Sequence, residues 1–346
     1  MNRSWESNLT VLVTGAAGYV GSITSEQLLA NGFEVIAIDN FQTGHRAAVL
    51  PDVVLFEGDF GSRDLLERVF RAHKVDVVLH FAAETTIETS MADPGPYFQN
   101  NLVRGISLLD AMLKHGCRSL VFSSTAALFG EPVRTPIDED HPAQPINPYG
   151  QSKLMFEQVL DWYHRCYGLR FTALRYFNAA GASQLLGEDH RPESHLLPLL
   201  CDAAWGRRDS VKIFGRDYAT PDGTCLRDYI HVLDLADAHI LALRHLDVHP
   251  NGKFNLGAGR AVSNLELLRT VEQVSGATIE FEFGPRRAGD PAVLVASPRR
   301  AVERLGWSPR HSALDTIVES ALHWRGRHPD GYGSGSGSVV ERAGAV

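Results

Sequence analysis

A tyrosine and a lysine one helical turn apart are the residues best suited to proton transfer in this chain. Tyr149 and Lys153 lie in the stretch PINPYGQSK (145–153). Asn147 suits a helix N-cap and Pro148 suits the first helical position, which puts Tyr149 and Lys153 on one face of a first turn. A neighbouring ammonium and the positive end of a helix both lower the pKa of a phenol. The pair is therefore suited to remove a hydroxyl proton while a hydride leaves the same carbon.

Hydroxyl side chains precede this pair along the chain. The strand-like run SLVFS leads into Ser123, Ser124 and Thr125. Ligands bind at the carboxyl edge of such strands in open α/β sheets. We expect Thr125 to hydrogen-bond the reacting oxygen and Ser124 to lie close to it, although any of the three hydroxyls can instead be a structural cap.

A glycine-rich turn near the N-terminus has the pattern of a dinucleotide site. Gly15, Gly18 and Gly21 lie in TGAAGYVG, between the strand-like run Leu9–Thr14 and the helix-like run Val20–Ala30. The first glycine permits a tight turn, the second lets the backbone approach a pyrophosphate, and the third lets the helix pack closely. A glycine triplet alone can be only a tight turn, but the strand before it and the helix after it match the motif.

Two acidic residues end the following strand-like runs. Asp39 ends FEVIAID, where a carboxylate can accept hydrogen bonds from ribose hydroxyls and disfavours a 2′-phosphate, which favours NAD over NADP. Asp59 follows in FEGDF and can equally be a helix cap. An aspartate at the end of a strand can also simply be exposed to solvent, without binding a ligand. Together with the glycine turn, however, the acids indicate a dinucleotide site.

The elements that position these residues alternate between short apolar runs and amphipathic stretches. This alternation predicts an α/β fold with a doubly wound parallel sheet, a Rossmann-like lobe. The predicted strands are Leu9–Thr14, Phe33–Ile38, Val53–Phe56, Asp76–His80, Ser119–Ser123 and Arg170–Arg175. The predicted helices are Val20–Ala30, Arg63–His73, Tyr97–His115, Pro148–Tyr167, Val232–His245 and Ala313–Arg327.

The composition of the chain changes after about residue 181, where loops become richer in Pro, Gly and Asp. We expect a dinucleotide-binding domain over 1–180 and a smaller α/β substrate lobe over 181–330, with a segment near 230–246 returning to the first domain. Residues 331–346 are rich in Gly and Ser and are predicted to be a disordered tail.

Composition excludes several classes of protein. The chain has 346 residues, of which 44% are hydrophobic and 21% charged, as in ordinary globular proteins. Its net charge of −8 disfavours a nucleic-acid or anionic-membrane binder and requires local arginines for any anionic ligand. The four cysteines lie far apart, which predicts no disulfide scaffold and no metal site of the usual zinc spacing. With no secretory signal or spanning helix visible, we expect a cytoplasmic protein.

The motifs as a group resemble the extended short-chain dehydrogenase/reductase family, in its NAD-dependent epimerase/dehydratase branch. The resemblance runs from about Leu9 to Trp324. Its most specific stretch is KIFGRDYATPDGTCLRDYIHVLDLADAH (212–239), and it also includes TGAAGYVG, DNFQTGHR, HFAA, YFQNN, YGQSK, LRYFNAAGA and RRAGDPAVLVAS.

This resemblance implies an NAD site and a UDP-sugar site. The implied NAD contacts are Gly15, Gly18, Tyr19, Val20 and Gly21 at the pyrophosphate, Asp39 and Asn40 at the ribose, Asp59 and Phe60 on the adenine side, and Phe81, Ala82, Asn100, Ser123, Tyr149, Lys153 and Tyr176 at the nicotinamide half. The implied substrate contacts are Thr125, Asn178, His195, Leu196, Phe214, Arg227, Tyr229, Arg287, Asp290 and Leu294. Arg227 and Arg287 would grip the diphosphate, although Arg227 and Asp228 can instead form a surface ion pair.

The implied activity is reversible inversion at C4 of the hexose of UDP-galactose and UDP-glucose, with Tyr149, Lys153, Thr125 and Ser124 as catalytic residues. Some relatives have Ser at the position of Thr125 and Lys at that of Thr85. Leu294 stands where relatives have either Tyr or a small residue beside the sugar. Whether N-acetylated sugars are accepted as substrates is therefore left open. Epimerisation of another UDP-sugar is therefore an alternative.

Two other functions use the same fold. A sugar-nucleotide 4,6-dehydratase needs carboxylates just after the threonine, where this chain has Ala126 and Ala127. A non-catalytic nucleotide sensor would not be expected to keep both Tyr149 and Lys153. The resemblance also implies a homodimer built on Tyr97–His115 and Pro148–Tyr167, whose apolar positions can equally cover the sheet.

Overall fold

A computed structural model of the protein describes residues 9–287 and 289–333. Its strands are β1 (Thr10–Thr14), β2 (Glu34–Asp39), β3 (Val54–Glu57), β4 (Val77–His80), β5 (Ser119–Thr125), β6 (Arg170–Tyr176), β7 (Asn178–Ala180), β8 (Val211–Phe214), β9 (Leu226–Arg227), β10 (Tyr229–His231), β11 (Asn251–Leu256), β12 (Val262–Ser263), β13 (Phe281–Gly284) and β14 (Val293–Leu294).

The helices alternate with these strands in the first half of the chain. They are α1 (Tyr19–Ala30), α2 (Arg63–Ala72), α3 (Ile87–Ala92), α4 (Gly95–Phe98), α5 (Gly105–Lys114), α6 (Pro148–Tyr167), α7 (Leu196–Ala204), α8 (Val232–Arg244), α9 (Asn264–Ser275), α10 (Arg299–Leu305) and α11 (Leu314–Arg327). A π-helical segment, Gln99–Arg104, joins α4 to α5, so the predicted helix Tyr97–His115 contains a local change of pitch. Every helix of the described residues is too short or too polar to cross a membrane.

Seven parallel strands form the central sheet in the order β11-β6-β5-β4-β1-β2-β3. The strand order reverses between β1 and β4, and such a switch point leaves a crevice at the carboxyl ends of the strands. β4 is fully buried along its length, as expected of a strand covered by helices on both faces. The prediction of a doubly wound parallel sheet is confirmed.

Helices cover the two faces of this sheet with separate hydrophobic cores. On one face, Leu28 of α1 and Leu235 of α8 pack against strand residues such as Val13. On the other, Leu66 of α2 and Phe156 of α6 belong to a second core with residues of α5 and the strands. The sheet therefore fixes the relative positions of the β1–α1 turn and the first turn of α6.

Part of the second half of the chain returns to the first lobe. α8 packs on α1, and β11 pairs with β6 at the edge of the main sheet. The β11 sequence NGKFNL contains a glycine and two asparagines, which weakened its strand signal. The division of the chain into domains near residue 180 stays a prediction.

The remaining elements form smaller sheets beside the carboxyl edge of the main sheet. β7 pairs with β10, β9 pairs with β12 and β14, and β8 pairs with β13. α7, α9 and α11 pack together around Leu200, Leu268 and Ile317. These short strands carry many of the residues that the resemblance assigned to a UDP-sugar.

The first residues of the predicted tail differ from the prediction. Tyr332 lies between the rings of His45 and Trp324, at centroid distances of 5.2 and 5.3 Å, and its hydroxyl donates to the Gly187 carbonyl at 3.1 Å. An aromatic ring can anchor a glycine-rich segment where it finds apolar partners. The rest of the predicted tail, 334–346, lies outside the described residues.

Candidate active site

The turn between β1 and α1 can accept only glycine at two positions. Gly15 has a φ of +75°, and a Cβ there would lie 2.6 Å from the Ala82 nitrogen. A Cβ on Gly21 would lie 2.1 Å from the Gly15 oxygen. The absence of a Cβ at both glycines therefore lets the strand, the turn and the helix pack closely together.

The same turn leaves an anion-binding helix end uncovered. Gly18 is the N-cap of α1, and no side chain caps the first turn. A Cβ on Gly18 would meet only the Gly15 oxygen, at 3.4 Å. The first N–H groups of a helix have no partner within the helix and attract phosphate. The turn therefore fits a pyrophosphate, while the Tyr19 hydroxyl instead donates to the Gly181 carbonyl.

Asp39 lies beside this turn at the end of β2. Its carboxylate accepts hydrogen bonds from the Ala17 nitrogen at 2.9 Å and the Phe41 nitrogen at 2.8 Å. Burial raises the pKa of this carboxyl, and these N–H groups oppose the shift. The side-chain oxygen of Asn40 accepts a hydrogen bond from the Gln42 nitrogen at 3.0 Å. Asp39 is thus held at the glycine turn, as a ribose contact requires.

An arginine that the sequence analysis missed joins two predicted cofactor residues. Arg104 lies 3.0 Å from the Asp59 carboxylate and donates to the Asn100 side-chain oxygen at 2.7 Å. Asn100 and Arg104 both belong to the π-helical segment, and such segments are frequent at functional sites. Phe60 is buried, with its ring 4.9 Å from that of His80, so the ring belongs to the core under the site.

The predicted tyrosine and lysine lie in the first turns of α6. Asn147 caps the helix by accepting from the Gly150 nitrogen at 2.8 Å. A Cβ on Gly150 would lie 2.5 Å from the Ala127 oxygen, so the helix start packs directly against the chain that follows Thr125. The local sequence therefore brings Tyr149 next to the carboxyl end of β5.

Burial is the largest influence on the pKa values of Tyr149 and Lys153. Burial raises the pKa of Tyr149, and a hydrogen bond with the Thr125 side chain opposes the shift. Lys153 donates to the Ser123 carbonyl at 2.9 Å, and burial lowers its pKa to about 7 against the opposing charge of Glu157. Desolvation is thus the largest influence on the pKa of Tyr149, and the lowering of that pKa by Lys153 stays a prediction.

Thr125 and Ser124 point to opposite sides of β5. Thr125 contacts Tyr149, whereas the Ser124 hydroxyl donates to Glu157 at 2.6 Å. Side chains alternate along a strand, so neighbours cannot both face the crevice. The structure therefore contradicts the catalytic role predicted for Ser124, whose hydroxyl belongs to a buried ion pair between Glu157 and Arg175.

Aromatic residues predicted at the nicotinamide half come together around His239. The Tyr176 hydroxyl hydrogen-bonds the His239 Nε2 atom, and the Phe81 ring lies 4.7 Å from the imidazole. The His239 Nδ1 atom donates to the Leu235 carbonyl at 2.7 Å. Burial lowers the pKa of His239 to about 4, so the ring is neutral and accepts from Tyr176. His239 ends the signature stretch but was not singled out from the sequence.

Of the predicted diphosphate arginines, Arg227 lies in β9 and Arg287 lies just after β13. Arg227 is 6% exposed and forms an ion pair with Asp290, and Leu294 is its register partner between β9 and β14. Arg287 lies over the Phe214 ring, 4.1 Å from its centroid. Asp228 is buried and accepts main-chain N–H groups, including that of Ala258 at 2.7 Å, which rules out a surface ion pair with Arg227.

The other predicted substrate contacts lie at neighbouring strand and helix ends. Asn178 and Tyr229 are register partners in the β7–β10 pair. His195 is the N-cap of α7, and Leu196 is the first residue of that helix. The His195 ring lies against acidic residues of the preceding loop, an arrangement that the sequence analysis did not anticipate.

Comparison with known proteins gives the same picture over nearly the whole chain. Residues 11–257 match the NAD dependent epimerase/dehydratase family. The UDP-glucose 4-epimerase of Lacticaseibacillus casei is 48% identical over 328 residues, which cover 94% of this chain and 99% of that protein.

Two solved structures have the same architecture. That of UDP-glucose 4-epimerase from Brucella ovis in complex with NAD has a TM-score of 0.87 and 43% identity, covering 91% of this chain and 98% of that one. That of UDP-glucose 4-epimerase from Bifidobacterium longum in complex with NAD+ and UDP has a TM-score of 0.89 and 38% identity, covering 93% and 99%. This chain belongs to the NAD dependent epimerase/dehydratase family.

Proposed function

We propose that this protein interconverts UDP-galactose and UDP-glucose by inverting C4 of the hexose. The observation that carries the proposal is the position of Tyr149 in the first turn of α6, which Asn147 caps and which packs through Gly150 against the chain that follows Thr125, in a chain of this family. Relatives named UDP-glucose 4-epimerase match 94% of the chain at 48% identity. An epimerase needs one acid–base group at the reacting carbon, and Tyr149 is placed to be that group.

The glycine turn supports NAD as the cofactor, since a Cβ at Gly15 or Gly21 would collide with backbone. NAD supplies an acceptor for the C4 hydride and a donor that returns it. The residues proposed to hold it are Gly15, Gly18, Tyr19, Val20, Gly21, Asp39, Asn40, Asp59, Phe60, Phe81, Ala82, Asn100, Ser123, Tyr149, Lys153 and Tyr176. Arg104 joins this set through Asp59 and Asn100.

Tyr149 acts as the base and takes the proton of the 4-hydroxyl. Thr125 hydrogen-bonds the phenol, which lowers its pKa and orients the reacting oxygen. Lys153 is buried and donates to the Ser123 carbonyl, and in its charged form it favours the phenolate of Tyr149 over the phenol. The same phenol returns the proton after the 4-keto sugar has exposed its other face.

The small sheets hold the nucleotide while the hexose turns. The residues proposed for this are Asn178, His195, Leu196, Phe214, Arg227, Tyr229, Arg287, Asp290 and Leu294. Arg227 and Arg287 supply the positive charge for the diphosphate that the net charge of −8 otherwise opposes. A grip on the nucleotide alone leaves the sugar free to present either face to the base.

The sequence beside Thr125 argues against dehydration. Ala126 and Ala127 follow it and offer no acid–base group for loss of water. Leu294 lies opposite Arg227 in the small sheet and is intermediate in size, so another UDP-sugar remains the alternative substrate. A panel of UDP-hexoses, UDP-N-acetylhexosamines and UDP-pentoses distinguishes these substrates.

We also propose a cytoplasmic homodimer formed through α5 and α6. Trp162 and Tyr167 on α6 are 61% and 54% exposed, and Val103 in the adjoining π-helical segment is 46% exposed. Large exposed apolar side chains grouped on neighbouring helices are typical of subunit interfaces. Trp162→Glu is expected to shift the particle mass from dimer to monomer in light scattering.

The proposed activity is tested by incubating purified protein with UDP-galactose, without added nicotinamide, and separating the nucleotide sugars. UDP-glucose is the expected product, since the cofactor is regenerated in each turnover. Absence of product both with and without added NAD would contradict the proposal.

A further inference from the structure

Two glutamates and two histidines meet in the loop between β7 and α7. Glu188, His190, Glu193 and His195 each offer one ligand atom, and these atoms all lie within 4.8 Å of one another. The His195 Nδ1 atom lies 2.8 Å from Glu188 and 3.2 Å from Glu193, and the His190 Nδ1 atom lies 3.1 Å from Glu188. In residues 9–287 and 289–333 this is the one such group.

One carboxylate oxygen in the cluster lacks a donor. The Glu193 side chain is 10% exposed, and its Oε2 atom is buried without a hydrogen-bond partner among the described residues. The His190 Nδ1 atom lies 3.9 Å from this oxygen, beyond hydrogen-bond distance. A buried carboxylate oxygen without a donor is costly, and a cation among these four side chains would satisfy it.

The loop that carries the cluster is anchored by other parts of the chain. Arg325 donates to the Glu188 carbonyl at 3.1 Å, and the Tyr332 hydroxyl accepts from the Gly187 nitrogen at 3.0 Å. The Asp189 side chain accepts from the Tyr332 nitrogen at 2.9 Å. These contacts fix the start of the loop at Gly187–Asp189, and Glu188 with it, as one element of a preorganised site.

The donor set selects the kind of cation. Two imidazole nitrogens and two carboxylate oxygens suit a transition metal, whereas Mg²⁺ and Ca²⁺ prefer oxygen ligands alone. Tetrahedral zinc with bonds of about 2.0–2.2 Å separates its ligand atoms by roughly 3.4 Å. The His195 Nδ1 atom is 2.8 Å from Glu188 and 3.2 Å from Glu193 Oε1. The His190 Nδ1 atom is 3.1 Å from Glu188 and 3.9 Å from Glu193 Oε2, so the separations lie on both sides of that value. We propose that Glu188, His190, Glu193 and His195 form a binding site for Zn²⁺ or a similar divalent transition-metal ion.

Four protein ligands leave no open position, so the ion has a structural role. His195 and Leu196 start α7, and both are proposed UDP contacts. The ion would fix this helix start beside the nucleotide, a consequence that rests on the proposed function. The metal site itself does not, since its binding is measurable without substrate. Cysteine spacings predicted no metal site in this chain, whereas all four ligands proposed here are Glu and His.

The test is calorimetric titration of metal-free full-length protein with Zn²⁺, and separately with Mg²⁺. One Zn²⁺ per chain and no Mg²⁺ binding are expected. His190→Ala should weaken Zn²⁺ binding by more than about 100-fold, because loss of an outer partner alone typically costs 10–100-fold. His323→Ala, which removes an exposed histidine elsewhere, should leave it unchanged.

A second variant and a spectrum keep the test independent of folding defects. Glu193→Gln preserves the shape of the side chain and should also weaken Zn²⁺ binding, with the circular dichroism spectrum unchanged. Co²⁺ in place of Zn²⁺ should give the intense visible absorption of a tetrahedral ion. Absence of Zn²⁺ binding, or equal binding by the wild type, His190→Ala and Glu193→Gln, would overturn the proposal and make the cluster an ion-pair network only. Neither result depends on epimerase activity.

Discussion

The Ser124 hydroxyl donates a 2.6 Å hydrogen bond to the Glu157 carboxylate, on the side of β5 opposite Thr125. Glu157 is also held by Arg175 through two nitrogens, at 2.7 and 3.0 Å. Burial alone would raise the pKa of Glu157, but Arg175 and Ser124 hold it below its ordinary value. This buried network ties α6, which carries the proposed catalytic residues Tyr149 and Lys153, to strands β5 and β6.

Glu157→Ala is expected to reduce the free energy of unfolding by about 3–5 kcal/mol, because it leaves the Arg175 charge buried without a partner. Glu57→Ala, which removes the exposed partner of Arg46, should change it by less than about 1 kcal/mol. Chemical denaturation of both variants measures the difference. Equal losses would show that the buried pair has no special role in stability.

Tyr149→Phe is expected to lower kcat by about 10²–10⁴-fold, since it removes the acid–base group and leaves the binding surfaces in place. Tyr163→Phe is the matched control on the same helix, because its hydroxyl bonds Asp110 at 2.6 Å on the exposed side. Steady-state rates with UDP-galactose, together with the amount of NAD retained by each protein, separate catalysis from cofactor binding. Near-normal turnover by Tyr149→Phe would remove Tyr149 from the base role.

Gly21→Ala is expected to disrupt the dinucleotide turn, because the new Cβ would lie 2.1 Å from the Gly15 oxygen. Overpacking of this kind costs about 1–3 kcal/mol, and the purified protein should retain little NAD. Gly95→Ala, whose Cβ would meet only Asp93 at 3.7 Å, is the control. NAD content is read from the absorbance of the released nucleotide. Full retention by Gly21→Ala would contradict the assignment of the turn.

Asp39→Asn keeps an acceptor for the Ala17 nitrogen but removes the charge that would face the ribose. Loss of a charged hydrogen bond weakens binding by about 10- to 100-fold, and selectivity for NAD over NADP should fall as well. Asp52→Asn, at an exposed position, should change neither. Dissociation constants for both dinucleotides provide the comparison. An unchanged affinity for NAD would remove Asp39 from the site.

His231 makes stability depend on pH. Its Nδ1 atom accepts from the Leu233 nitrogen at 3.1 Å and its Nε2 atom donates to Ser320 at 3.0 Å, a pattern open only to the neutral ring. Burial, with a smaller effect of His311, lowers the pKa of His231 to about 4. Between its ordinary pKa of about 6.5 and pH 4 the unfolded chain binds a proton that the folded chain does not, so stability falls as the pH falls through this window.

His231→Asn retains a helix-capping acceptor but does not titrate. The loss of unfolding free energy between pH 7 and pH 4.5 should therefore be smaller in this variant by about 2–3 kcal/mol. Urea denaturation at the two pH values measures the loss, and His323→Asn should behave as the wild type. An identical loss in His231→Asn and wild type would show that His231 does not carry this dependence.

The parallel sheet and its order of elements were predictable because fully buried strands are continuous apolar runs, as in β4. The glycine turn and the first turn of α6 were also predictable, since each rests on local backbone rules. β11 was not, because NGKFNL gains its stability from pairing with β6 rather than from its own residues.

Contacts between distant segments account for the other differences. Ser124 was placed wrongly because its partner, Glu157, is 33 positions away and the face of a strand depends on register. Arg104 and His239 entered the site through a π-helical segment and a returning helix, neither of which has a sequence signal of function. The four metal-ligand candidates are close in sequence, but only the anchored loop brings their ligand atoms together.

In the proposed reaction, hydrogen at C4 leaves and returns within one site while Tyr149 moves the hydroxyl proton. UDP-galactose carrying deuterium at C4 tests it most directly, with the product examined by mass spectrometry and NMR. We expect UDP-glucose that keeps deuterium at C4 in ordinary water. Loss of the deuterium to solvent, or recovery of unchanged UDP-galactose alone, would contradict it.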